Sequence, residues 1–93
     1  MGMTRVEGKD KGSLALYALS TYVWCKMMKG FLAKMGIGYD YVDVDTLADE
    51  EKARTIAELK RWNPKCSFPS LVVNGEKCVI GFNEDTLRQA LNL

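Results

Sequence analysis

The sequence predicts a single α/β domain in which a mixed four-stranded sheet carries three helices on its faces. Three observations predict it. An almost unbroken apolar run, Leu14 to Leu19, is followed by apolar residues at helical spacing and then by an aromatic and acidic alternation, the order of a strand-helix-strand crossover. Asn74-Gly75 parts two β-prone runs, the strongest short hairpin signal. With 93 residues, the chain suffices for one core only.

Residues 1–12 combine alternating charge with Gly2, Gly8 and Gly12, which predicts a flexible leader ahead of a domain spanning 13–93. Leu14-Ala15-Leu16-Tyr17-Ala18-Leu19 suits a strand buried on both faces. Ser20 and Thr21 offer caps for a helix whose apolar positions are Trp24, Met28, Phe31, Leu32 and Met35, and Gly36 closes it. Tyr39 to Asp45 is a second, less buried strand. Thr46 to Trp62 is the longest helix, acidic at its start and basic at its end, with a Glu50–Arg54 pair and with Ile56, Leu59 and Ala53 toward the sheet. Asn63-Pro64 stops it. Leu71-Val72-Val73 and Glu76 to Ile80 flank the hairpin turn. After Gly81, Asn83 caps a helix running to Leu91, with Phe82 and Leu87 placed as a hydrophobic staple. The crossover must be parallel and the hairpin antiparallel, so the sheet is mixed.

Composition excludes several functions. Thirteen basic against twelve acidic side chains leave a charge of +1, too little to steer the chain to nucleic acid or an anionic membrane. There is no histidine, which removes Ser-His and Cys-His nucleophile pairs and every histidine metal site. Three cysteines, Cys25, Cys66 and Cys78, match neither a metal finger nor a secreted disulfide framework, so a reducing cytoplasm is expected. No apolar run approaches the roughly 20 residues of a membrane span, and the start resembles no export signal. Val6 spoils the lipidation pattern that Met1-Gly2 begins. Met27, Met28 and Met35 read as helix packing rather than copper ligands. Asp40, Asp43, Asp45 and Asp49 lack calcium-loop spacing, so no metal or bound cofactor is expected. A monomer is expected.

Three local motifs carry a resemblance. They are Leu16 to Lys26 with its Tyr22-Val23-Trp24-Cys25 core, Ser67-Phe68-Pro69-Ser70, and Val79-Ile80-Gly81-Phe82-Asn83-Glu84. In this order they resemble the active-site segment, the cis-proline loop and the ligand-binding turn of glutaredoxins and of the related redoxins that serve ribonucleotide reductase. The resemblance spans Leu14 to Leu91 and implies a thioredoxin-like fold and thiol-disulfide oxidoreductase activity in cell redox homeostasis. It also implies disulfide-containing proteins as substrates, and glutathione as co-substrate or a thioredoxin-reductase-type donor. Members that use glutathione generally carry a basic residue just upstream of the motif. Leu19-Ser20-Thr21 has none, which favours the second donor or no donor.

The family usually reads Cys-x-x-Cys where this chain reads Tyr22-Val23-Trp24-Cys25. In the family mechanism the first thiol, acidified at a helix N-terminus, attacks a disulfide, and the second resolves the mixed disulfide. A phenol titrates near pKa ~10 and forms no exchangeable bond to sulfur, so a dithiol cycle through positions 22 and 25 is chemically unavailable. Two functions follow: an oxidoreductase impaired or rerouted through Cys25, or a catalytically silent domain that binds glutathione or a protein partner.

Each residue keeps two readings. Cys25 is a small buried thiol or a relocated nucleophile. Cys66 is an ordinary loop cysteine or a replacement redox partner for Cys25. Cys78 reads as core. Tyr22 is the trace of a lost activity, or a hydroxyl that donates to the thiolate of a bound thiol. Trp24 flanks substrate or packs inward. The expected substrate-binding set is Tyr22, Val23, Trp24, Phe68, Pro69, Gly81, Phe82 and Asn83 by resemblance, although turn geometry alone explains Gly81 and capping alone explains Asn83.

Overall fold

The computed structural model describes residues 2–93. Its strands are β1 (Thr4–Val6), β2 (Leu14–Ala18), β3 (Tyr39–Asp43), β4 (Ser70–Val73) and β5 (Lys77–Ile80), and its helices are α1 (Val23–Lys34), α2 (Asp49–Trp62) and α3 (Glu84–Ala90). The sheet order is β1-β3-β2-β4-β5. Only β2 and β3 run parallel, and the other three pairings are antiparallel.

The expected four strands become five because the segment read as a leader supplies β1. Val6 lies opposite Tyr39 and Arg5 opposite Asp40. Beyond the strand, the Lys9 amide donates to the Gly36 carbonyl at 2.8 Å and the Gly38 amide to the Lys9 carbonyl at 2.9 Å. A side chain on Gly8 would run into the Gly38 backbone, so glycine there permits the close contact. Met1 lies outside the described residues.

Strand alternation sorts the interior into two layers. Leu14, Leu16, Ala18, Leu71, Val73 and Val79 share one cluster with Cys25, Met28, Phe31 and Leu32 of α1 and Leu87 of α3. Tyr17, Val42, Val44 and Val72 form the other with Leu59 of α2. Burying each leucine of the first layer stabilises the fold by about 1.5–3 kcal/mol over leaving it exposed.

The caps locate the elements. Gly36, at φ +68, ends α1. There the Ile37 amide bonds to the Leu32 carbonyl and the Gly36 amide to that of Ala33, each at 3.0 Å, a left-handed C-cap. The start of α1 differs from expectation, since Tyr22 holds the N-cap position and makes no side-chain cap. Ser20 is used elsewhere: its amide donates to Asp45 at 2.8 Å, and its hydroxyl donates to the same carboxylate. α2 begins three residues late, because Val44–Thr46 forms a 3-10 turn in which the Thr46 hydroxyl donates to the Asp43 carbonyl at 2.7 Å. On α2 only Leu59 is buried; Ile56 is half-buried and Ala53 faces solvent. Among the described residues, Glu50 and Arg54 do not form the expected ion pair.

The hairpin and the last helix match the sequence reading. Asn74 and Gly75 take φ +56 and +61, and the Glu76 amide closes the turn on the Val73 carbonyl at 3.0 Å. Asn83 Oδ1 accepts the Thr86 amide at 3.0 Å, capping α3. Among the described residues no helix is long and apolar enough to cross a membrane.

Candidate functional site

Strand register brings the three motifs to one end of the sheet. Tyr17 lies opposite Ser70, and Ser70 lies opposite Ile80. The chain leaving β2 toward α1, the chain entering β4 from Pro69, and the chain leaving β5 toward α3 therefore emerge side by side.

The first of these holds Tyr22, Val23 and Trp24 outward, at 41%, 55% and 47% exposure. Trp24 thus points to solvent rather than into the core, although its spacing fits either face. Cys25 is the reverse, with no exposed surface. The Leu19 amide donates to its Sγ at 3.3 Å. Burial pushes the thiol above its ordinary pKa, and the Leu19 amide and Lys29 oppose that rise only in part. Lys29 is already committed, with its ammonium 2.8 Å from Asp43 and 4.3 Å above the Tyr41 ring. Burial thus works against ionisation of Cys25.

The second motif is held by a polar network. Buried Asn63 donates through Nδ2 to the hydroxyls of Ser67 at 2.9 Å and Ser70 at 3.1 Å, and Ser70 donates onward to the Ser67 carbonyl at 2.8 Å. The Phe68–Pro69 peptide is cis. Pro69 is buried and its carbonyl accepts the Gly81 amide at 2.8 Å, which ties the second motif to the third. Phe68 is half-buried and touches both core layers.

In the third motif Gly81 takes φ +81, a left-handed conformation that favours glycine. Phe82 stacks edge-on to Phe31 of α1 with ring centroids 6.2 Å apart. Asn83 is exposed and spends its side chain on the cap.

The segments that carry the eight expected binding residues leave the same end of the sheet, and the thiols divide between the two core layers. Cys25 belongs to the layer under α1 and α3, whereas Cys66 and Cys78 pack against the layer under α2. Cys66 sits in the loop after α2 at φ +54, its amide bonded to the Asn63 carbonyl at 2.8 Å. Cys78, half-buried on β5 opposite Val72, has its thiol pKa pushed up by burial and eased by the Ser70 hydroxyl. All three thiols are free. Among the described residues no cluster of His, Cys, Asp or Glu could hold a metal ion.

Sequence reasoning missed the residues that shape the loop before α1. Asp45 fastens Ser20, and the Leu19 amide engages Cys25. The signal for Asp45 was present in the acidic cluster, but dipole and solubility roles explained that cluster without a partner. For a backbone amide no sequence signal exists. Chemically, the arrangement offers an exposed phenol, an exposed indole and the first amides of α1, which have no acceptor within the helix.

The sequence profile of the glutaredoxin family matches residues 14–78. Among solved structures, the chain is similar to the glutaredoxin from Methanosarcina mazei Go1, with 40% identity and a TM-score of 0.90 over 100% of this chain and 90% of that one. It is similar to the methanoredoxin of Methanosarcina acetivorans, with 44% identity and a TM-score of 0.89 over 92% of this chain and 90% of that one. It is also similar to the glutaredoxin grx-1 from Archaeoglobus fulgidus, at 29% identity and a TM-score of 0.82 over 88% of each chain. No curated protein matches.

Proposed function

The chain belongs to the glutaredoxin family, and from that premise we propose that its thiol-disulfide exchange is interrupted at Tyr22, leaving a groove that binds glutathione or a cysteine-bearing protein without turning it over. The observation that carries this reading is Cys25 itself. It has no exposed surface, so an incoming disulfide finds no path to its sulfur.

Exchange begins when a thiolate attacks one sulfur of a disulfide, forms a new sulfur-sulfur bond and expels the other sulfur as a thiolate. Tyr22 stands where the attacking sulfur would be and forms no such bond. Cys25 has no exposed surface for an incoming disulfide, and burial disfavours its ionised form. A detour through Cys25 and Cys66 has to join thiols in separate core layers, which works against it.

Binding survives this loss. Tyr22 and Trp24 are exposed, the Phe68-Pro69 loop is rigidly held, and the Gly81-Phe82-Asn83 turn lies beside it. The Tyr22 hydroxyl is free to donate to the sulfur of a bound thiol, and the first amides of α1 favour the anionic form of that sulfur. A reducing cytoplasm suits three free thiols.

The test is a gain of function. Tyr22→Cys restores the attacking thiol and is expected to reduce a small mixed disulfide at least about a hundredfold faster than the natural chain, the scale on which a lost nucleophile acts. Turnover by the natural chain at a rate near that of Tyr22→Cys would falsify the reading.

A further inference from the structure

The outer side of α1 carries an exposed stripe of which only Val23 belongs to the expected redox site. Val23, Met27, Gly30 and Lys34 follow at helical spacing and share one face. Val23 and Met27 are 55% and 45% exposed, high for large apolar side chains. Beside them runs a groove of about 340 Å³, reaching from Phe31 on α1 to Phe82 before α3. Among the described residues, its lining does not include Phe68 or Pro69.

Gly30 is the residue the fold does not explain. It lies inside α1, where glycine is among the least favourable residues. A methyl group built there meets nothing within 4 Å, and the backbone is not left-handed. Neither internal crowding nor turn geometry requires glycine at this position. Close approach of a second backbone from outside is an arrangement that glycine permits.

Charge narrows the choice of visitor. Lys26 and Lys34 line the groove, and among the described residues neither pairs with a carboxylate. Glu84, the one acid in the lining, lies 3.7 Å from Arg88, whose guanidinium sits 5.5 Å from the Phe31 ring. The groove is thus cationic at its rim in a chain of net charge only +1.

We infer that this groove docks an amphipathic helix of a partner protein, with an apolar edge against Val23, Met27 and Phe82, its backbone passing close to Gly30, and acidic flanks facing Lys26 and Lys34. The inference names the partner class for the proposed binding function. It rests on that function only through Val23 and Phe82, which both surfaces share.

The test uses two synthetic helical peptides with leucine on one face, one carrying glutamate and the other lysine on the opposite face. In an amide chemical-shift titration the glutamate peptide shifts Met27, Gly30 and Lys34, and the lysine peptide does not bind. Gly30→Leu fills the groove with a better helix former, so the variant folds, and it weakens glutamate-peptide binding by at least about tenfold. Lys26→Glu with Lys34→Glu weakens it to a similar degree, about tenfold. Glutathione shifts at Phe68 and Asn83 stay unchanged in Gly30→Leu, which separates failure of the groove from failure of the thiol site. The inference is overturned by equal binding of both peptides, by no binding of the glutamate peptide, or by full binding to Gly30→Leu. It is also overturned if sedimentation shows a dimer of the natural chain that Gly30→Leu dissolves, since the face would then belong to a second copy.

Discussion

On the proposed reading, Tyr22 stands where the family's attacking sulfur would be, and the buried sulfur of Cys25 accepts the Leu19 amide. Other single residues carry stability and can be tested as such. Asn83→Ala removes the acceptor of the Thr86 amide and is expected to cost about 1 kcal/mol in thermal or denaturant unfolding. Leu32→Ala opens a cavity in the layer that contains Cys25 and is expected to cost about 2–5 kcal/mol. An unchanged midpoint in either case would contradict the packing described. The residue types with one dominant local reason, namely Gly36, Asn74-Gly75 and Asn83, were legible in the sequence. Ser20 was not, because a serine can cap a helix or bond elsewhere with equal ease, and Asp45 lies 25 residues away.

At the scale of elements, the strands and helices differ in how firmly they are held. α1 buries Cys25, Met28, Phe31 and Leu32, whereas α2 buries only Leu59 and borders an open cleft of about 1080 Å³ between itself and the sheet. Hydrogen exchange is therefore expected to release the amides of α2 before those of α1, through local opening. Simultaneous release would show that the two layers unfold as one. Gly30→Ala is expected to stabilise α1 by about 0.5–1 kcal/mol, read as a raised unfolding midpoint, since no neighbour obstructs the added methyl. The order of elements from β2 to α3 was legible from periodicity and turn chemistry. β1 was not: Thr4-Arg5-Val6 is too short for a period, and only its pairing with Tyr39, Asp40 and Tyr41 makes it a strand. The late start of α2 escaped for a related reason, because a 3-10 turn and an α-helix begin with the same acidic, polar sequence.

For the whole molecule, burial of titratable groups makes stability depend on pH in a defined direction. Desolvation raises the pKa of Cys25, Cys78, Tyr39 and Tyr17 above their unfolded values, and the Glu58 carboxylate, which accepts the Tyr17 hydroxyl at 2.7 Å, adds to the rise at Tyr17. Below the unfolded values these groups are neutral in both states and cost nothing. As pH climbs past about 8.5 for the thiols and about 10 for the phenols, the unfolded chain ionises first and stability falls. Asp45 behaves oppositely. Its carboxyl is held below the usual range by the Ser20 hydroxyl and amide, so its contribution is present above pH ~4 and is lost on acidification. Denaturant midpoints measured from pH 5 to 10.5 should therefore form a plateau that declines at the alkaline end, and a rise there would contradict the burial of these groups. The same enclosure makes thiol accessibility the most direct test of the proposed interruption at Tyr22. The natural chain is treated with iodoacetamide at neutral pH and the alkylated cysteines are mapped by mass. The account predicts that Cys25 reacts only once the protein is unfolded; alkylation of Cys25 in the folded protein faster than a free cysteine would contradict it and return this thiol to the role of nucleophile.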